Sequence, residues 1–217
     1  MRRRALLWLA AAAASAAVPA AVPDFSGLGS ADRARAMMVA YGECVVRLSR
    51  GTVERALAAS PVGSQGRAVV DRIAYSECPR YGGLSSNPAL MRGALFAALY
   101  RADFGAAAPA IADMRLDYSK DVGGTDTAER RQYVGLRQFA ECVVRADPAS
   151  SRAFVLAPVG SHEDKAAFAA LGAHFAPCLT KGVELTFSKT VLAGLVAETL
   201  YRQSLAGAEM AAASRKP

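Results

Sequence analysis

Histidine chemistry has little to work with in this chain. It holds two histidines in 217 residues, His162 and His174. They stand twelve apart, which on one helix turns them about 120° from each other at 3.6 residues per turn. They make poor joint metal ligands, and residues 162–166 read HEDKA rather than HExxH. His162 reads as a solvated residue of a capping turn and His174 as half-buried. The four cysteines include no C-x-x-C pair, which removes the common zinc site. Nucleophile elbow, phosphate loop and dinucleotide fingerprint are all missing, and the VGG at 122–124 reads as a turn. Glu163 and Asp164 point apart on a helix and read as capping residues, not as a general-acid pair. No catalytic residue, metal or cofactor is therefore expected, and the chain leans away from an enzyme.

A second long apolar run is missing too. The first twenty residues place Arg2, Arg3 and Arg4 before an apolar stretch from Ala5 to Ala17, with small residues up to Ala20. That is the pattern of a signal peptide at 1–20, cut after Ala20. A transmembrane anchor needs about 20 apolar residues, and Pro19 and Pro23 interrupt this one. The expected protein is exported, periplasmic or extracellular, with no transmembrane segment after cleavage. Its charge shrinks accordingly. Three of the 26 basic residues leave with the signal, so 23 face 19 acidic ones, a net +4. Arg215 and Lys216 hold two of those charges in the tail. No basic patch advertises nucleic-acid binding.

What the chain does have is self-similarity. Glu43-Cys44-Val45-Val46-Arg47 matches Glu141-Cys142-Val143-Val144-Arg145 at an offset of 98. Pro61-Val62-Gly63-Ser64 matches Pro158-Val159-Gly160-Ser161 at 97, and Cys78 corresponds to Cys178 at 100. Leu99-Tyr100-Arg101 matches Leu200-Tyr201-Arg202 at 101, and Gly93 pairs with Gly194 in the same frame. An ordered, collinear series of this kind reads as a tandem duplication. The expected organisation is a signal peptide at 1–20, a helical repeat at 21–103, a connecting segment at 104–127, a second helical repeat at 128–205 and a flexible tail at 206–217.

Each repeat reads as four helices, giving an all-α fold. The first carries the ECVVR string, with Met37, Tyr41, Cys44, Val45 and Leu48 in one copy and Leu136, Phe139, Cys142, Val143 and Ala146 in the other. These recur at spacings of three and four, an amphipathic stripe. Glu43 with Arg47, and Glu141 with Arg145, stand four apart as exposed ion pairs worth about 0.3–0.5 kcal/mol. A short second helix follows at 52–59 and 148–157, with Pro148 at its first position. The PVGS turn leads to a third helix, capped by Ser161 with an acid three residues on, or more weakly by Ser64 with Arg67. The fourth helix starts at Asn87-Pro88 or Ser188-Lys189 and is apolar on most sides. Helices of that kind are buried, so the copies should pack through this pair about a pseudo-two-fold axis, with Gly93 and Gly194 allowing close approach; two independent domains are the alternative. In the connecting segment, Met114, Leu116 and Tyr118 alternate with charged residues, as in a short strand or an extended strap.

In an exported protein an even number of cysteines reads as disulfides, and four allow three pairings. The duplication selects Cys44–Cys78 and Cys142–Cys178, which are equivalent in the two copies. Each should contribute roughly 3–4 kcal/mol by restricting the unfolded chain. Tyr100-Arg101 and Tyr201-Arg202 recur at the ends of the central helices. An Arg there complements the helix dipole, and two Tyr–Arg pairs facing one crevice are the candidates for ligand or partner contact. Three functions follow in order: a non-enzymatic helical protein binding a protein partner or cell-envelope component; a periplasmic carrier of a small ligand or lipid between the repeats; and, least favoured, an exported hydrolase. Oligomeric state and partner identity are not legible.

Overall fold

Among the described residues, five of the seven α-helices start on a short polar side chain, at Asn87, Thr127, Asp147, Ser161 and Ser188. In the computed structural model, which describes residues 23–62, 77–78, 87–107, 111, 114–124, 126–179 and 188–215, the Asn87 carboxamide oxygen accepts from the Ala89 amide at 2.9 Å. The Ser188 hydroxyl accepts from the Val191 amide at 3.3 Å and the Ser161 hydroxyl from the Asp164 amide at 3.1 Å. These side chains satisfy amides that a helix start leaves without carbonyl partners. The expected signal segment 1–20 and the helix expected after the first PVGS turn, with Ser64 and Arg67, lie outside the described residues.

Seven α-helices and one 3-10 turn make up the regular structure among the described residues, with no strand: α1 (Ser30–Ala58), α2 (Pro88–Phe104), the 3-10 turn (Tyr118–Asp121), α3 (Ala128–Ala146), α4 (Pro148–Leu156), α5 (His162–Gly172), α6 (Phe175–Cys178) and α7 (Lys189–Ala213). The expected first and second helices of the N-terminal half run together as α1, broken only by a kink where Ser49 leaves helical geometry at φ −153°, ψ 59°. In the C-terminal half the same break, at Asp147 with φ −144° and ψ 82°, separates α3 from α4. Pro148 lacks the N–H that would continue the ladder from α3, and Asp147 caps α4 through the Ser150 amide at 2.9 Å.

The apolar helices α2 and α7 form the centre. Every residue of α2 from Met91 to Tyr100 is buried, as a helix without a polar face requires. The pair meets at Gly93 and Gly194, where a Cβ on Gly93 would lie 2.4 Å from the Gly194 Cα. α1 packs on the other side of α2, where a Cβ on Gly42 would lie 2.8 Å from the Ala94 carbonyl oxygen. α3 and α4 pack on α7, and α5 packs on α4. The disulfides are Cys44–Cys78 and Cys142–Cys178, with Cα atoms 5.8 and 5.6 Å apart.

Several local expectations give way. Leu48, placed on the buried stripe by its spacing, is 49% exposed, because Ser49 breaks the helical register one residue later. On α3 the ECVVR faces are turned: Glu141 is buried and Cys142 exposed. The cause is the segment 114–117, an irregular strap rather than a strand, laid across α3 and α7. Glu141 accepts from the Leu116 amide at 3.2 Å and from Gln203 Nε2 at 2.9 Å, while Gln203 also donates to the Met114 carbonyl at 3.2 Å. Glu43 does remain exposed, but Arg101 of α2 engages it at 3.1 Å. His174 sits in the turn after α5 and not on the helix that carries His162. Helix α7 runs on to Ala213, past the boundary expected at 205, through an alanine-rich stretch of strong helix formers.

Asp164 departs most from its reading as a simple capping acid. Its carboxylate is fully buried and takes Arg35 through two hydrogen bonds of 2.8 and 2.6 Å, Lys189 at 2.6 Å and the Gly160 amide at 3.1 Å. The cluster ties the start of α1 to α5 and to the start of α7. Burial alone would raise the Asp164 pKa, but Arg35 and Lys189 outweigh it and hold the carboxyl below its usual range.

Candidate functional site

Two helices that touch at glycines diverge on either side of the contact, and larger side chains must fill the gap. Beyond Gly93 and Gly194, Phe96 and Phe104 of α2 reach Tyr201 of α7 with ring centres 5.8 and 5.9 Å apart. Beside these rings, α2, α7 and the C-terminal half of α1 border an open cavity of about 440 Å³, inside the roughly 300–1,000 Å³ range of small-molecule sites. Its apolar wall is Leu57, Ala58 and Ala59 from the end of α1, Phe96 and Leu99 from α2, and Leu205 from α7. Its polar wall is Arg50, Glu54, Arg92, Asp121, Tyr201 and Arg202.

The polar wall is a set of interlocked ion pairs. Arg92 of α2 donates to Glu198 Oε1 from Nε at 3.1 Å and Nη2 at 2.9 Å. Its Nη1 donates to the Leu57 carbonyl at 2.8 Å, near the C-terminus of α1 where a cation is favoured. Behind it Arg137 donates to Glu198 Oε2 at 2.7 Å. Both arginines and Glu198 are buried. Burial pushes the Glu198 carboxyl up, yet the two guanidinium groups outweigh this and hold it below its ordinary value. A buried carboxylate between two buried guanidiniums is stable only as a complete set, because removing one member leaves charge without compensation. Arg92 also borders a second cavity of about 380 Å³, with Tyr133, Leu136 and Arg137.

Two further pairs stand at the rim. Arg50 grips Asp103 with two bonds of 2.6 and 2.7 Å and donates from Nε to Glu54 at 2.7 Å. The Tyr201 hydroxyl donates to the same Asp103 at 3.1 Å. Burial, together with the neighbouring Asp103 charge, pushes the Tyr201 phenol up to about 12. Arg202 grips Asp121 with bonds of 2.6 and 3.2 Å and lies 4.9 Å from the centre of the Tyr118 ring. The Tyr133 hydroxyl completes Asp121 at 3.0 Å.

The four residues singled out as candidates are divided between two places. Tyr201 and Arg202 line the 440 Å³ cavity. Tyr100 is fully buried, with its hydroxyl accepting from Arg152 at 3.1 Å, and Arg101 is committed to Glu43. The two Tyr–Arg pairs therefore do not face one crevice. The wall residues that the sequence reading passed over are Arg50, Arg92 and Asp121, and Glu198 behind them. A signal existed for two of them: Arg92 and Glu198 are charges set within the most apolar stretches of α2 and α7. Among the described residues no group of three or more His, Cys, Asp or Glu is placed to hold a metal ion, and no helix is long and apolar enough to cross a membrane. No protein-family model, no curated protein and no solved structure matches this chain.

Proposed function

We propose that this protein is an exported, non-enzymatic carrier of a small organic ligand, held between the two halves of a duplicated helical chain. The observation that carries this reading is the open cavity that α1, α2 and α7 border, with an apolar wall facing a wall of arginines and carboxylates. The duplication has support from equivalent positions. Ser49 and Asp147 break the helices at an offset of 98, Asn87 and Ser188 cap equivalent helices, the disulfides join equivalent cysteines, and Gly93 meets Gly194. Such a pairing of one residue with its own counterpart is what an approximate two-fold axis produces. The disulfides and the absence of a membrane-spanning helix among the described residues fit export.

The partner-binding reading has less to stand on. Among the described residues the exposed large apolar side chains are Leu48, Met114, Leu205 and Met210; Leu205 borders the cavity and the other three belong to different segments, whereas a docking face usually gathers its apolar residues into one patch. Native mass spectrometry of protein recovered from an oxidising export compartment tests the proposal. The expected spectrum has a disulfide-linked chain carrying a small bound mass. The variant Leu205→Trp, which adds bulk at a residue 38% exposed on the rim, should lose that mass while keeping its helical signal. A chain that arrives empty, and whose melting is unmoved by any member of a small-molecule panel, would defeat the carrier reading.

A further inference from the structure

The two disulfides occupy equivalent places in the sequence but differ in their access to solvent. Cys44 and Cys78 are 6% and 1% exposed and belong to the main apolar core. Cys142 is exposed and Cys178 half-buried. The main chain in the middle of a helix is covered by its own side chains, so what Cys142 shows to solvent is mainly its Cβ and Sγ. The strap at 114–117 makes the difference. Neighbouring helix positions are turned by about 100°, so drawing Glu141 inward onto the Leu116 amide and Gln203 turns Cys142 outward. In the first half Glu43 faces solvent and Cys44 faces the core. Beside Cys142 a cavity of about 290 Å³ opens between the strap and α3. Arg115, Asp117, Glu141 and Arg145 line it, two charges of each sign, so it favours neither an anionic nor a cationic visitor.

From this we infer that Cys142–Cys178 is a thiol–disulfide exchange site, opened by a dithiol that attacks Cys142, while Cys44–Cys78 is a closed staple. Exchange needs a thiolate to reach one of the two sulfurs, and exposed disulfides are the labile ones. Cys178 packs against the core, which leaves Cys142 as the sulfur open to attack. The attacking thiolate forms a mixed disulfide with Cys142 Sγ as the bond to Cys178 Sγ breaks, and Cys178 departs as a thiolate. The second thiolate of the dithiol then displaces Cys142, and the reagent leaves as its own disulfide. Two electrons pass from the dithiol to the protein, and Cys142 and Cys178 take up the two protons that the dithiol lost. Opening the bond unties α6 from α3. Helix α6 spans four residues with no side-chain cap, and the ring contacts of Phe175 with Phe139 and Phe168, at 5.9 and 6.1 Å between centres, remain.

Timed reduction of the full disulfide-linked chain tests the assignment. The folded protein is incubated with dithiothreitol or with reduced thioredoxin, free thiols are trapped with N-ethylmaleimide, and the labelled cysteines are located by peptide mass mapping. Cys142 and Cys178 should be labelled about 10-fold or more faster than Cys44 and Cys78, because access limits exchange. In denaturing urea the two pairs should react at similar rates, which ties the difference to the fold. Selective opening by dithiothreitol alone assigns the site to small dithiols that the cavity admits, and selective opening by thioredoxin extends it to protein dithiols. Earlier labelling of Cys44 and Cys78, equal rates in the folded protein, or resistance of Cys142–Cys178 to both reagents overturns the assignment, and so does a selectivity that persists in urea. None of these readouts depends on the carrier reading.

Discussion

Replacing Gly93 by alanine puts a methyl group where there is no room for one. The new Cβ would stand 2.4 Å from the Gly194 Cα and 3.3 Å from its carbonyl carbon. Both are backbone atoms of α7, so no side chain can rotate out of the way. Ordinary contact requires α2 and α7 to part by about 1 Å, against a densely packed interior that yields little. Overpacking of this kind costs roughly 1–3 kcal/mol, and the upper end applies because the obstacle is main chain. The alanine returns about 1 kcal/mol through its better helix propensity. The net expectation is a loss of about 2 kcal/mol. At roughly 2–4 °C per kcal/mol for a chain of this size, the melting temperature by circular dichroism should fall by about 4–8 °C. Gly135→Ala is the matched control: that glycine is exposed on α3 with no atom within 4 Å of the added Cβ. It should gain up to about 1 kcal/mol from propensity alone. The Gly93→Ala/Gly194→Ala double variant should lose less than the two singles together, since either methyl forces the same separation. A Gly93→Ala protein that melts at or above the parent temperature would refute the close crossing.

Glu198→Gln should destabilise the protein by about 3–5 kcal/mol, because it leaves Arg92 and Arg137 buried with no carboxylate between them. The Glu198 carboxyl is held below its ordinary value of about 4.5, so its stabilisation is complete above about pH 4.5 and is lost as pH falls through the folded-state value; denaturant melts below about pH 4.5 should bring parent and variant closer together. Removing the second staple with Cys142→Ala/Cys178→Ala should cost roughly 3–4 kcal/mol by urea denaturation, and an unchanged midpoint would mean that this disulfide does not restrict the unfolded chain.

Much of the helical layout follows from local chemistry. Asn87, Ser161 and Ser188 are caps because a short side-chain oxygen beside a helical start has amides within reach whatever the rest of the chain does. Pro148 opens a helix for an equally local reason. The cysteine pairing was also legible, once the matching strings of the two halves had reduced three connectivities to one. Other features needed neighbours that are distant in sequence. Glu141 and Glu43 occupy equivalent places in the same five-residue string, yet one is buried and the other exposed. The difference is made by Leu116 and Gln203, which reach Glu141 from the strap and from α7.

The candidate site is the least local feature of all. Tyr201 and Arg202 were visible as a repeated pair, but their partners are Asp103 and Asp121, and nothing in the order of residues joins these to Arg50 or Arg92. Burial of Arg92, Arg137 and Glu198 is tolerated only because three helices deliver opposite charges to one point. By itself the sequence determined the helices, their caps and the disulfide pairing, since these depend on residues near each other in the chain or on the match between its halves. Tertiary structure decided which charges are buried and where a cavity opens, because desolvation, ion pairing and the space between helices exist only when the helices are assembled.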